Sequence, residues 1–253
     1  MIRKPLSDQT SSGLKSSSQT LKAVLGVREL VFSGAVPPGE RLTEVTMSER
    51  LGISRTPVRA ALSRLEQEGI LVMLPAGGFA VRAFSQADII DAIELRGVLE
   101  GTAARFAAER GVDEDLLERI KSVLCDLDTI VGRPQAELDV QAYIDRNASF
   151  HDLLKAAAAS TIVSAEIDRA VRLPFAGPSA FLNAQVDIPE FRASLVIGQG
   201  QHRAIVDAIE KRQGARAEAL AREHALLARQ NLDFILENKI LISRVPGLSL
   251  MSE

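Results

Sequence analysis

The sequence predicts a mainly α protein in two parts, with one small β-hairpin set between them. Three observations carry that prediction. Apolar residues recur at helical spacing through most of the stretch from Leu21 to Asn238, and Gly and Pro interrupt it repeatedly. The period shortens to two only between Ile70 and Arg82, around Pro75-Ala76-Gly77-Gly78. Aromatics make up 4% of the residues and Trp is absent, which suits helices packed closely through small side chains.

Met1 to Ser18 carries lysines and serines without an apolar core, so residues 1–18 are expected to be a disordered tail and not a secretory signal. Leu21 to Phe32 reads as a helix, with Leu21, Val24, Leu25, Val27, Leu30 and Val31 on its apolar face. Val36-Pro37-Pro38-Gly39-Glu40-Arg41-Leu42 is a turn-rich link. Thr43 opens a short helix through about Leu51, and Gly52-Ile53 makes a tight turn into the next one.

That next helix organises the front of the chain. Thr56 is placed to cap it, Pro57 is placed at its first helical position and Gly69 supplies a left-handed stop. Val58, Ala61, Leu62 and Leu65 form one apolar stripe, which leaves Arg55 and Arg59 free near the N-terminus. Arginines there can fork onto guanine edges or phosphates, and the hydroxyls of Ser54 and Thr56 can reach phosphate oxygens. Two short helices joined by a glycine turn make a helix-turn-helix. The hairpin that follows would be the wing of a winged helix, with Gly77 and Gly78 at its tip.

From Ser85 onward the sequence predicts an all-α bundle of six or seven helices: Ser85 to about Arg110, Asp113 to about Ile130, Leu138 to Ala159, Thr161 to Leu173, about Ile188 to Arg212, and Ala215 to Asn238. Ser179 to Asp187 is ambiguous. The domain reading is therefore 19–84 for the winged helix, 85–240 for the bundle and 241–253 for a C-terminal tail. Up to Ser85 there are 11 Lys and Arg against 7 Asp and Glu; after it there are 19 against 26. A basic front on an acidic body suits a nucleic-acid reader joined to a different kind of domain. The single cysteine, Cys125, excludes an internal disulfide framework and points to a reducing, cytoplasmic setting. No run of about 18 apolar residues is present to span a membrane.

Three histidines, His151, His202 and His224, fall on the apolar stripes of three different predicted helices. Asn147 shares the inward face of His151 at i,i+4. One histidine on a core stripe is ordinarily just a packed residue. Three imidazoles buried in an alanine-rich bundle are costly unless they are paired, and one shared ligand would meet all three needs. Three imidazole nitrogens with the Asn147 amide oxygen make a borderline N/O set for a divalent metal: zinc, with nickel or manganese as alternatives. Arg96 and Glu100 also sit on a core stripe. They read either as an i,i+4 ion pair at the rim or as cavity groups, Arg96 holding the carboxylate of a small organic acid. Asn231, in register with His224, joins them as a candidate effector contact.

The head, through Val36-Pro-Pro-Gly-Glu-Arg-Leu, Leu51-Gly-Ile-Ser-Arg-Thr-Pro-Val-Arg-Ala-Ala-Leu and Leu65-Glu-Gln-Glu-Gly, closely resembles the GntR family of bacterial transcription regulators over about residues 20 to 84. The resemblance implies operator contacts at Ser54, Arg55, Thr56, Arg59 and, in the wing, Gly78. Where relatives often carry an arginine in the second helix, this chain has Glu44 and Val45. The body, with its polar residue–x3–His on one helix and one His on each of two later helices, resembles the FadR C-terminal (FCD) effector domain over about 86 to 238. Relatives with the metal usually have aspartate at the place of Asn147. The resemblance implies a homodimeric regulator of double-stranded operator DNA, a repressor by family habit, answering to a small carboxylate. A purely structural dimerisation bundle without metal, and a metal-dependent hydrolase, are the competing readings; the latter lacks a general base placed as in H-E-x-x-H.

Overall fold

The computed structural model describes residues 8–134, 137–182, 188–238, 241, 245 and 247–251. The chain divides into two compact units, Met1–Gln86 with Pro246–Glu253, and Ala87–Val245.

In the first unit, α1 (Asp8–Phe32) starts inside the stretch expected to be a tail. No proline falls between Asp8 and Phe32 to interrupt it, so the helix anchored further on by Ala23, Val24, Val27 and Val31, all buried, extends back toward the N-terminus. The next elements are β1 (Arg41–Leu42), α2 (Glu44–Leu51) and α3 (Arg55–Gln67). Thr43 caps α2 in a capping box with Thr46, and Gly52 ends it in the left-handed conformation. The expected start of α3 needs correcting. Ser54, not Thr56, is the N-cap, and Pro57 is the third helical residue instead of the first, still within the turn where its missing N–H costs nothing. Pro57, Val58, Ala61, Leu62 and Leu65 are buried, and α3 packs principally on α1.

The expected hairpin, β2 (Leu71–Met73) and β3 (Phe79–Val81), is present and gains a third strand. β1 pairs antiparallel with β3, Arg41 opposite Ala80 and Leu42 opposite Phe79, giving the order β1-β3-β2. The segment expected as a C-terminal tail returns to this unit. A single 3₁₀ turn at Leu248–Leu250 follows Gly247, whose N–H donates to Phe32 O at 2.8 Å, and Phe84 N–H donates to Leu250 O at 2.8 Å. Leu248 and Leu250 are buried. Apolar side chains at that spacing have more to gain from a core than from water.

The second unit contains α4 (Gln86–Arg110), α5 (Glu114–Val131), α6 (Val140–Ala157), α7 (Thr161–Ala170), α8 (Pro189–Glu210) and α9 (Gly214–Glu237). These are six helices among the described residues. The ambiguous stretch 179–187 lies from 183 onward outside them. Asp113, Asp139 and Ser160 cap α5, α6 and α7 with their side chains. The core is built of Ala, Leu, Ile and Val from α4, α5, α6, α8 and α9. Two glycines bring α4 close to α9. A Cβ on Gly97 would lie 2.8 Å from Ala225 Cβ, and one on Gly101 3.0 Å from Glu218 O. That close approach sets Arg96 and Glu100 of α4 beside the residues of α9.

Candidate functional site

Burial of the Val58–Leu65 stripe turns the opposite face of α3 outward, and Ser54, Arg55, Thr56 and Arg59 are all exposed. The Ser54 hydroxyl makes no capping bond, so the helix does not use it internally. Arg59 is held by Glu44 of α2 in a two-pronged pair, Nε to Oε1 at 2.5 Å and Nη2 to Oε2 at 2.9 Å. The Arg59 hydrogen bond keeps the Glu44 carboxyl below its ordinary range. At the wing tip Gly77 and Gly78 have φ of 81° and 82°, and a Cβ on Gly78 would meet Leu42 O at 3.0 Å, so glycine is required there. Arg41 reaches across to the tip, donating from Nη2 to Ala76 O and Gly77 O at 3.2 and 2.8 Å. Sequence reasoning missed Arg41, because it sits in a link with no periodicity. It brings to the wing the charge that Ala76 lacks.

In the body, α6 carries His151, α8 carries His202 and α9 carries His224. The three expected ligands come together, with one ring nitrogen of each lying within 4.8 Å of those of the others. His202 is fully buried, His151 buried and His224 half-buried. The rings pack on one another and on Phe150, whose centroid is 4.1 Å from that of His202.

The hydrogen bonds around the rings decide which nitrogens face inward. Gln199 Nε2 donates to Leu124 O at 3.0 Å and to Asp128 Oδ1 at 2.9 Å. Both partners only accept, so the Gln199 amide is fixed with Oε1 toward His202 Nδ1, 3.1 Å away. Nδ1 of His202 therefore carries the hydrogen, and its Nε2 is a bare lone pair. His224 Nδ1 faces Gln201 Oε1 at 3.0 Å, while the Nε2 atoms of His202 and His224 stand 2.9 Å apart. His151 Nδ1 donates to Glu100 Oε1 at 3.0 Å, and its buried Nε2 has no hydrogen-bond partner. Each ring thus ties its Nδ1 to an oxygen and turns Nε2 to the centre, the orienting arrangement used by metal-binding histidines.

The electrostatics agree with neutral rings at His202 and His224. Burial, with the neighbouring histidines adding to it, holds His202 well below the ordinary range. Burial and the neighbouring His151 ring hold His224 at about 3, against the opposing pull of Glu100. Desolvation would raise the Glu100 carboxyl, but His151 and Arg96 outweigh it and bring it to about 2. Neutral rings at His202 and His224, beside an ionised carboxylate at Glu100, suit the binding of a cation.

Arg96 and Glu100 form an i,i+4 pair at 3.3 Å, buried in the bundle and not at its rim. Arg96 also lines a cavity of about 30 Å³ with Asn147, Asn231, His224, Tyr143 and Ser194. That volume accommodates a water or two. Asn147 is buried and donates from Nδ2 to Ser179 Oγ at 3.0 Å. Asn231 Oδ1 accepts from Ser194 Oγ at 3.3 Å. The residues that sequence reasoning missed here are Gln199, Gln201 and Tyr143. Glutamine and tyrosine on a helix stripe carry no ligand signature, although Gln199 lies three residues before His202 on one face.

Comparison with known proteins agrees with both halves. Residues 91–227 match the FCD domain family, and residues 19–81 match the bacterial regulatory proteins of the gntR family. An uncharacterised HTH-type transcriptional regulator of Agrobacterium vitis, from the TAR-I ttuE-ttuC' intergenic region, is 29% identical over 155 residues, covering 61% of this chain and 90% of that protein. The HTH-type transcriptional regulator McbR of Escherichia coli is 31% identical over 137 residues, 54% of this chain and 60% of its own. In fold, the solved E. coli McbR/YncC aligns with a TM-score of 0.58 at 23% identity, covering 87% of this chain and 98% of that one. A Listeria monocytogenes protein, Lar, aligns with the same score at 17% identity, covering 92% and 99%. No helix among the described residues is long and apolar enough to cross a membrane. With a gntR-type winged helix at its front and an FCD domain matched over more than half its length, the chain belongs to the GntR family of transcriptional regulators, as a DNA-binding member of the FCD-containing type.

Proposed function

We propose that the protein is a homodimeric repressor whose operator affinity is set by a small carboxylate bound beside a divalent metal in the bundle. The unit around residues 19–84 reads DNA, and residues 85–240 sense the acid and dimerise. The observation that carries this is the convergence of three Nε2 atoms, each aimed by a hydrogen bond at Nδ1, with the buried Nε2 of His151 left without a partner. His151, His202 and His224 would hold the ion, with Asn147 as a fourth, neutral ligand, and zinc suits the donor set best. A bound cation supplies Lewis acidity for a carboxylate oxygen.

Arg96 supports the other end of the acid. Its guanidinium is buried, already paired with Glu100, and lines the cavity with Asn231. The cavity has room for little more than water, so an acid larger than that would displace part of the wall, which includes Pro178 and Leu182 of the loop after α7. Such displacement provides the second state that an effector needs, with coupling typically worth ~1–3 kcal/mol. In the head, Ser54, Arg55, Thr56 and Arg59 would face the major groove and Gly78 the backbone, and a two-fold dimer would set two such helices in successive grooves of a palindrome.

Elemental analysis of protein purified without chelator, beside His202→Ala, tests the metal; zinc in the parent and its loss in the variant are the expected result. Operator release titrated with a panel of short mono- and dicarboxylates, before and after chelation, tests the sensor. Release by one of them that requires the metal is expected. Release unaffected by chelation would break the link between the two.

A further inference from the structure

The pair between Arg59 and Glu44 has a geometry that goes beyond holding two helices together. Glu44 takes the side edge of the guanidinium, Nε at 2.5 Å and Nη2 at 2.9 Å. The end edge, Nη1 with the second hydrogen of Nη2, points away from the carboxylate, and the Arg59 side chain is 71% exposed. The end edge is the one whose two parallel N–H groups match guanine O6 and N7. Glu44 itself is rigidly placed. It is the first residue of α2, immediately after the Thr43–Thr46 capping box, and its side chain is only 29% exposed. An exposed arginine otherwise samples many rotamers and meets phosphates and bases alike.

We propose that Glu44 is a specificity-determining residue: it clamps Arg59 side-on, so that the arginine presents its end edge to a guanine and is withheld from the phosphate backbone. The inference rests on the reading of Arg59 as an operator contact. Two consequences separate it from a merely structural ion pair. Losing the clamp lowers guanine discrimination, because Arg59 no longer arrives in one orientation. It also raises affinity for unrelated DNA, because a carboxylate that repels phosphates has gone and a mobile arginine is released to them.

The test uses the full-length dimer and a duplex recovered by selection from a randomised pool. Each guanine is replaced in turn by adenine or by deazaguanine, which lacks the N7 acceptor. At the guanine that Arg59 reads, Glu44→Ala is expected to shrink the discrimination by roughly ten-fold, within the range one bidentate pair provides, and to tighten binding to an unrelated duplex. Glu44→Gln, which keeps one acceptor and the side-chain volume, should fall between, and decides the matter if Glu44→Ala does not fold. A folding defect would instead weaken specific and unrelated binding together. Arg59→Ala is the control for the parent reading. If it leaves every guanine equally well discriminated, Arg59 is not a base contact and the reading beneath the proposal fails. If it abolishes discrimination at one guanine while both Glu44 variants retain it, the contact stands and the role of Glu44 is overturned.

Discussion

Gln199→Leu isolates the argument that places a metal among the histidines. Gln199 is 2% exposed and lies against α5, and leucine has nearly its volume, so the change removes hydrogen bonds and opens no hole. Two effects follow. In the metal-free protein the Nδ1–H of fully buried His202 loses its acceptor at 3.1 Å, a loss of about 1–3 kcal/mol. For a body of this size that lowers the melting temperature by roughly 2–4 °C per kcal/mol. His202 is also freed to move its hydrogen to Nε2 and donate it to His224 Nε2, 2.9 Å away, which closes the site to a cation. Metal binding must then reverse that choice, and loss of an orienting partner of this kind typically costs 10–100-fold in affinity, about 1.4–2.7 kcal/mol. Equilibrium competition for zinc against a chromophoric chelator measures it, with thermal unfolding of the chelated protein as the companion. A variant that melts lower yet binds zinc as tightly as the parent would refute the argument from Gln199, because the fixed amide would then have no bearing on His202.

Three further outcomes are expected. If the wing tip meets the sugar-phosphate backbone, Arg41→Ala should weaken binding to all duplexes alike and reduce the slope of log affinity against log salt by about 1; a salt titration reads this directly. Arg96→Lys keeps a charge beside Glu100 but not the fork, so folding and operator binding should persist in circular dichroism and mobility shift while release by the carboxylate is lost. Ending the chain after Val245 removes the buried Leu248 and Leu250. It should destabilise the DNA-reading unit by at least about 2 kcal/mol, seen as an earlier melting transition.

Signals that act over a few residues were legible in the sequence. Thr43 and Gly52 bracket α2 as expected, Gly69 turns left-handed after α3, and the hairpin forms around Gly77-Gly78. Helical periodicity located α4 to α9 to within a few residues at each end. The three histidines were visible because their residue type is rare here and their stripe placement costly, and they do converge. What escaped was decided by distant partners. Arg41–Leu42 is a strand only because β3 lies beside it, and Leu248–Leu250 looked like a tail because its cover is α1 and Phe84, some 160 or more residues earlier in the chain. Arg96 and Glu100 read equally well as a rim pair. They are buried because α4 approaches α9 closely at Gly97 and Gly101 while α6 supplies His151 to Glu100, contacts between residues far apart in the chain.

The return of the last residues to the first unit has a consequence for biosynthesis. A ribosome delivers Met1 to Gln86 long before Leu248, yet the hydrophobic centre of that unit includes leucines from beyond the bundle. Its packing is therefore completed only after the whole intervening polypeptide has been made, unlike a module whose core lies in one continuous N-terminal stretch. A nascent or prematurely released chain would carry a less stable DNA-binding unit, which gains its last apolar cover only once the helical bundle has also been made.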